Sequence, residues 1–176
     1  MATSIRRLTR LEAEQAIAVQ NALRLDLLKL RAGSIFHADA TTGVSLEDLT
    51  AGSSTADQVA FTLACSAAYT AHIASACAAA TGQGAHLAAD ATNVLTTPNP
   101  TDLASCNARM NEIKAQYNLH RASTTFHPVA DSTNTMAASD ATNAATLATL
   151  GNQVKARLNA HFAAAFTHQA TLLVSP

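Results

Sequence analysis

The stretch NEIKAQYNLH, residues 111–120, decides the fold, because it returns 41 positions later as NQVKARLNAH, residues 152–161. Asn111, Lys114, Ala115, Asn118 and His120 meet Asn152, Lys155, Ala156, Asn159 and His161, and Ile113 meets Val154. A period of this length marks an array of supersecondary units. Downstream, His127 meets His168; upstream, Thr101 meets Thr142 and Ala104 meets Ala145. The same shift carries His86, Ala89, Asp90, Thr92 and Asn93 onto His127, Ala130, Asp131, Thr133 and Asn134. Tyr69 and His72 match Tyr117 and His120 at a shift of 48, which places an insertion near Thr81-Gly82-Gln83-Gly84. A fainter copy holds His37, Asp39 and Thr41. All 7 histidines then fall in two phases: His72, His120 and His161 in one, and His37, His86, His127 and His168 in the other.

Each unit reads as a helix followed by a long polar connector. Leu103, Cys106, Met110, Ile113, Tyr117 and His120 recur at alternating intervals of three and four, one helical stripe. Ala144, Leu147, Gly151, Val154, Leu158 and His161 repeat it, and Gly151 within the seam predicts a close backbone approach. Asn99 with Pro100 is the expected start of the first of these helices, with Asp102 in its first turn, and Ser139 or Asp140 the start of the second. An earlier helix is expected from about Thr55 to Ala80, ending at the Gly82/Gly84 segment. A long N-terminal helix is expected from about Ser4 to Ala32, with Gly33 as its stop and Ala16, Val19, Leu23, Leu27 and Leu30 as its stripe.

The expected fold is therefore all-α, with four main helices joined by long polar connectors. Residues 1–50 are expected to form a long N-terminal helix and connector, and residues 51–176 the degenerate helix-plus-connector repeats of about 41–48 residues each, as one structural unit. Eighteen extended residues reach about 60 Å, and a 22-residue helix spans about 33 Å. A connector could therefore return beside its helix and leave successive helices parallel. An antiparallel bundle is the slightly favoured alternative, because it needs no ordered return strand.

Composition narrows the function classes. Net charge is −1 and charged residues make up 13 %, so no basic excess exists to neutralise nucleic-acid phosphates. Arg6, Arg7 and Arg10 read as one solvated helix face. Residues 61–80 carry no formal charge, but His72 and several hydroxyls argue against a membrane span. Hydrophobic residues reach 48 % with only 4 % aromatics, and much of that share is alanine. Such thin side chains bury little apolar area each, which favours completion by copies or partners. Cys65, Cys77 and Cys106 have no CxxC spacing and read as buried free thiols.

The sharpest chemistry is the set His120, His127 and Asp131, with its cousin His72, His86 and Asp90. Neutral imidazole and carboxylate are ligands for zinc and similar divalent cations. In the last copy Leu172 replaces the aspartate. The bland alternative has histidine ending the stripe and Asp and Asn making turns and caps. Asp-Ala-Thr-Asn at 90–93 and 140–143 fits turn chemistry better than a calcium loop. The nucleophile elbow, Walker loop, dinucleotide fingerprint and HExxH are lacking, and a non-enzymatic protein without an organic cofactor is expected.

The segment from Asn111 to His120, followed by His127 and Asp131-Ser-Thr-Asn134, resembles repeats in Ala/Thr-rich virion structural proteins of tailed bacteriophages and prophages. The resemblance covers roughly residues 55 to 168. It implies a structural or assembly part of the capsid, neck or tail, assembled in the host cytoplasm. Such a part would be a homo-oligomer in contact with other virion proteins. The first fifty residues take no part in this likeness.

Overall fold

The computed structural model describes residues 43–76, 86, 88–127 and 129–164. The expected N-terminal helix, His37, Cys77 and His168 lie outside the described residues. Within them the fold is all-helical: α1 (Thr55–Ala74), α2 (Leu103–Ala122) and α3 (Ala144–Phe162). An isolated parallel bridge between Ala76 and His86 is the extent of β pairing among the described residues.

The helices start where reciprocal capping boxes form. Ser54 with Asp57, Asp102 with Ser105 and Asn143 with Thr146 each exchange side-chain and backbone bonds across the first turn. Asp102, not Asn99, therefore caps α2. Asn143, not Ser139 or Asp140, caps α3. α1 stops at Ala74, short of the expected Ala80, because Ser75 turns extended while its N–H still reaches His72 O.

Both α2 and α3 bury the stripe set by their intervals of three and four. Cys106, Met110, Ile113 and Tyr117 face Leu147, Val154 and Leu158, and α1 adds Phe61, Cys65, Tyr69 and Ile73. Gly151 stands at the centre, where a Cβ would meet Phe61 Cε1 at 3.2 Å and Leu49 Cδ1 at 3.4 Å. Its lack of a side chain lets α3 approach both.

The helices run parallel, unlike the favoured up-and-down arrangement. The connector after α2 shows why. Met136 N–H and C=O bond the Asn118 amide at 3.0 and 2.9 Å, Ala138 C=O accepts from Lys114 Nζ at 2.8 Å, and Ala141 bonds the Asn111 amide at 2.7 and 3.1 Å. Numbering rises along the connector as it falls along the helix, so the chain returns beside α2 and starts α3 at the level where α2 began. Asparagine amides replace the missing neighbouring strand, satisfying extended backbone that would otherwise lack partners.

Residues 44–49 stand in the same relation to α3. Val44 and Leu49 bond the amides of Asn159 and Asn152, and Leu46 C=O accepts from Lys155. The segment entering α1 thus clasps α3 and closes a ring of three helical units among the described residues. At Gly43 a Cβ would fall 2.5 Å from Asn159 Oδ1, so only glycine leaves room for that clasp. In α1 the corresponding positions are Leu63, Ser66 and Thr70. The connector between α1 and α2 is held from α2 instead: Glu112 accepts from the N–H and hydroxyl groups of Thr96 and Thr97, and Arg109 reaches Thr97 O and Ser66 Oγ.

Candidate metal centre

Parallel helices bring their C-terminal ends together, and each ends on a histidine of the first phase. His72, His120 and His161 are all 0 % exposed. Their ring centroids are 5.2 Å apart for His72 and His120, 4.9 Å for His72 and His161, and 5.9 Å for His120 and His161. Helix ends leave carbonyls unsatisfied, and the connectors supply the donors. Asp90 N–H caps Ile73 O and Asp131 N–H caps Arg121 O. His86 Nδ1 donates to Ser75 O at 2.7 Å, and His127 Nδ1 to Ser123 O at 3.1 Å. These bonds swing the second-phase rings under the helix ends. His86 lies 4.8 Å from both His120 and His127, and His127 lies 4.6 Å from His120.

Four of these rings form a compact donor set. One ligand atom each from His72, His86, His120 and His127 lies within 4.8 Å of all the others, and all four residues are buried. A cluster of this kind could hold a metal ion. Carbonyl and carboxylate oxygens only accept, so each Nδ1 bonded to one carries the proton and the ring turns its Nε2 lone pair inward. His120 Nδ1 donates to Asp90 Oδ2 at 2.8 Å, and His120 Nε2 is buried with no hydrogen-bond partner. His161 Nδ1 donates to Asp131 Oδ2, also at 2.8 Å. His86 Nε2 and His72 Nε2 are 3.1 Å apart, a distance that a proton on one of them bridges.

The two aspartates are held alike. One oxygen of Asp90 accepts from Thr92 N–H, Thr92 hydroxyl and Asn93 N–H, and the other accepts from the Asn93 amide and His120. Asp131 repeats this with Thr133, Asn134 and His161. Burial alone would raise both carboxyls, but these donors outweigh it and hold them well below the usual carboxylate range. Burial pushes the histidines the other way. His86 falls to about 2, where His120 and His127 add like-charge repulsion; His127 falls to about 3 and His120 to about 4. His161 is lowered as well, by burial first. His86, His120, His127 and His161 are therefore neutral at pH 7, the form that binds metals.

The structure brings His120 and His127 together but places Asp131 behind His161, as an acceptor for its ring N–H. Asp90 likewise backs His120 instead of joining His72 and His86 as a ligand. Sequence reading joined each histidine to the aspartate that follows it. The fold joins each to the aspartate 30 residues before it, Asp90 to His120 and Asp131 to His161. That equal spacing was the available signal. It also explains why Leu172 can stand in the last copy, since α3 already takes its carboxylate from the preceding connector.

No helix among the described residues is long and apolar enough to cross a membrane. No protein-family model, curated protein or solved structure matches the chain.

Proposed function

We propose that this chain is a metal-binding helical module that holds a divalent transition-metal ion among His72, His86, His120 and His127, where the ion ties the ends of α1 and α2 to the connectors that follow them. The observation that carries this reading is the convergence of four buried ligand nitrogens within 4.8 Å of one another. Two further facts support it. An unpartnered buried nitrogen such as His120 Nε2 costs about 1–3 kcal/mol, which an ion would offset. Hydrogen bonds from Nδ1 to carbonyl and carboxylate oxygens are the outer-sphere arrangement that orients metal-bound imidazoles. All-nitrogen donors suit zinc, copper, nickel, cobalt or iron over magnesium or calcium. Rings with no exposure suit a closed structural site.

The setting we propose for this module is a non-enzymatic, multi-copy virion part next to a fourth, N-terminal helix. The resemblance of residues 55 to 168 supports that setting, and a metal-tied unit would be a stiff building block. Elemental analysis of the purified chain should find a stoichiometric transition metal, and a strong chelator should lower the melting temperature. A metal-free preparation whose melting ignores both chelator and added zinc overturns the reading.

A further inference from the structure

We propose that His161 is a further nitrogen ligand of the same centre, giving it five imidazoles, with Asp90 and Asp131 as the two outer-sphere carboxylates that match a divalent charge. This inference rests on the metal reading above. His161 is fully buried, and its ring centroid lies 4.9 Å from His72 and 5.1 Å from His127. Inside the four-histidine set His72 and His86 stand 4.4 Å apart and His72 and His120 5.2 Å, so His161 is no farther from His72 and His127 than His72 is from His120. Its longer 5.9 Å separation from His120 fits ligands set across an ion rather than side by side.

Its anchoring repeats that of His120. Both rings end parallel helices at a shift of 41, and both donate Nδ1–H to an aspartate oxygen at 2.8 Å. Each aspartate is fixed by a Thr and an Asn two and three residues later. The committed Nδ1 leaves Nε2 as the atom that would bind an ion. Charge points the same way. Neutral imidazoles contribute none, and a buried ion needs its charge matched nearby. Asp90 and Asp131 supply two negative charges, one behind each ring, and so suit an ion of charge two.

The test uses the full chain, stripped of metal and reloaded with Co(II), whose visible spectrum and X-ray absorption report ligand number. His161→Gln should bind Co(II) with one imidazole fewer than the unaltered chain, a changed visible spectrum, and a loss of affinity beyond the roughly 10–100-fold typical of outer-sphere changes. Asp131→Asn keeps the ring and changes only its anchor. It should weaken Co(II) binding by about 10–100-fold, as Asp90→Asn should through His120. Equal imidazole counts with and without His161, or an effect of Asp90→Asn with none of Asp131→Asn, overturns the fifth ligand and leaves the four-histidine centre standing. Failure of the unaltered chain to bind Co(II) overturns both. If His161→Gln does not fold, the pair of aspartate variants decides.

Discussion

A buried carboxylate keeps its charge only when donors surround it, and Asp131 has five: Thr133 N–H, Thr133 hydroxyl, Asn134 N–H, the Asn134 amide and His161 Nδ1. Replacing it with alanine strands all of them. Asp131→Ala should destabilise the protein by about 3–5 kcal/mol, because several buried donors lose a charged acceptor at about 1–3 kcal/mol each; denaturant unfolding measures it. Gly151→Ala sets two effects against each other. Helix propensity improves by about 1 kcal/mol, while a Cβ pressed 3.2 Å from the Phe61 ring overpacks the core at about 1–3 kcal/mol. A net loss of about 1 kcal/mol is expected, and a gain in the same unfolding assay would show that Phe61 moves aside. Cys65 is held inert by the same packing, since burial pushes its thiol up to about 12 and Cys106 is raised too. Alkylation of the native protein should spare both cysteines until denaturant is added.

At the scale of elements, the connectors act as partners of the helices. Four asparagines, Asn111, Asn118, Asn152 and Asn159, each give and take one bond with an extended residue. Asn152→Ala should cost about 1–3 kcal/mol for the stranded Leu49 groups. It should also speed amide exchange at Leu49 while leaving the middle of α2 protected. Uniform exchange across the chain would refute that local role. These clamps also show what sequence could not reveal. The buried stripe of Cys106, Met110, Ile113 and Tyr117 was legible because hydrophobic spacing reports which face is covered. Helix direction was not, because Asn111, Lys114 and Asn118 look like any polar surface until the strand they hold is known. The α2 start was misplaced for a similar reason: Asn99 and Asp102 are both good caps, and only the reciprocal bond with Ser105 separates them. Histidine phasing made the site visible as repeated rings. The carboxylates that anchor those rings stayed hidden because Asp90 and Asp131 act on the next helix, not on their own.

For the whole molecule, acid is the lever. The unfolded chain protonates its histidines near 6.5, whereas folded His120, His127 and His86 resist until about 4, 3 and 2. The folded state therefore binds fewer protons below 6.5. Stability of the metal-free protein is full above that pH and falls progressively as pH drops toward 4. Asp90 and Asp131 extend the loss below 3.8, where the unfolded carboxyls take up protons and the folded ones do not. Denaturant midpoints at pH 7.5, about one unit above the ordinary histidine value, should exceed those at pH 5. A flat profile would mean that the rings reach solvent.

Closure by residues 44–49 has a consequence for how such a chain can grow. In an open solenoid each terminal repeat offers a bare edge, and copies are gained or lost at modest cost. Here the flank of α3 that a successor would need is already taken by the extended segment leading into α1. The number of units in this closed ring is thus a stereochemical constant, and a duplicated 41-residue block spliced into the chain should be extruded as a protease-sensitive loop rather than lengthening the molecule into a rod.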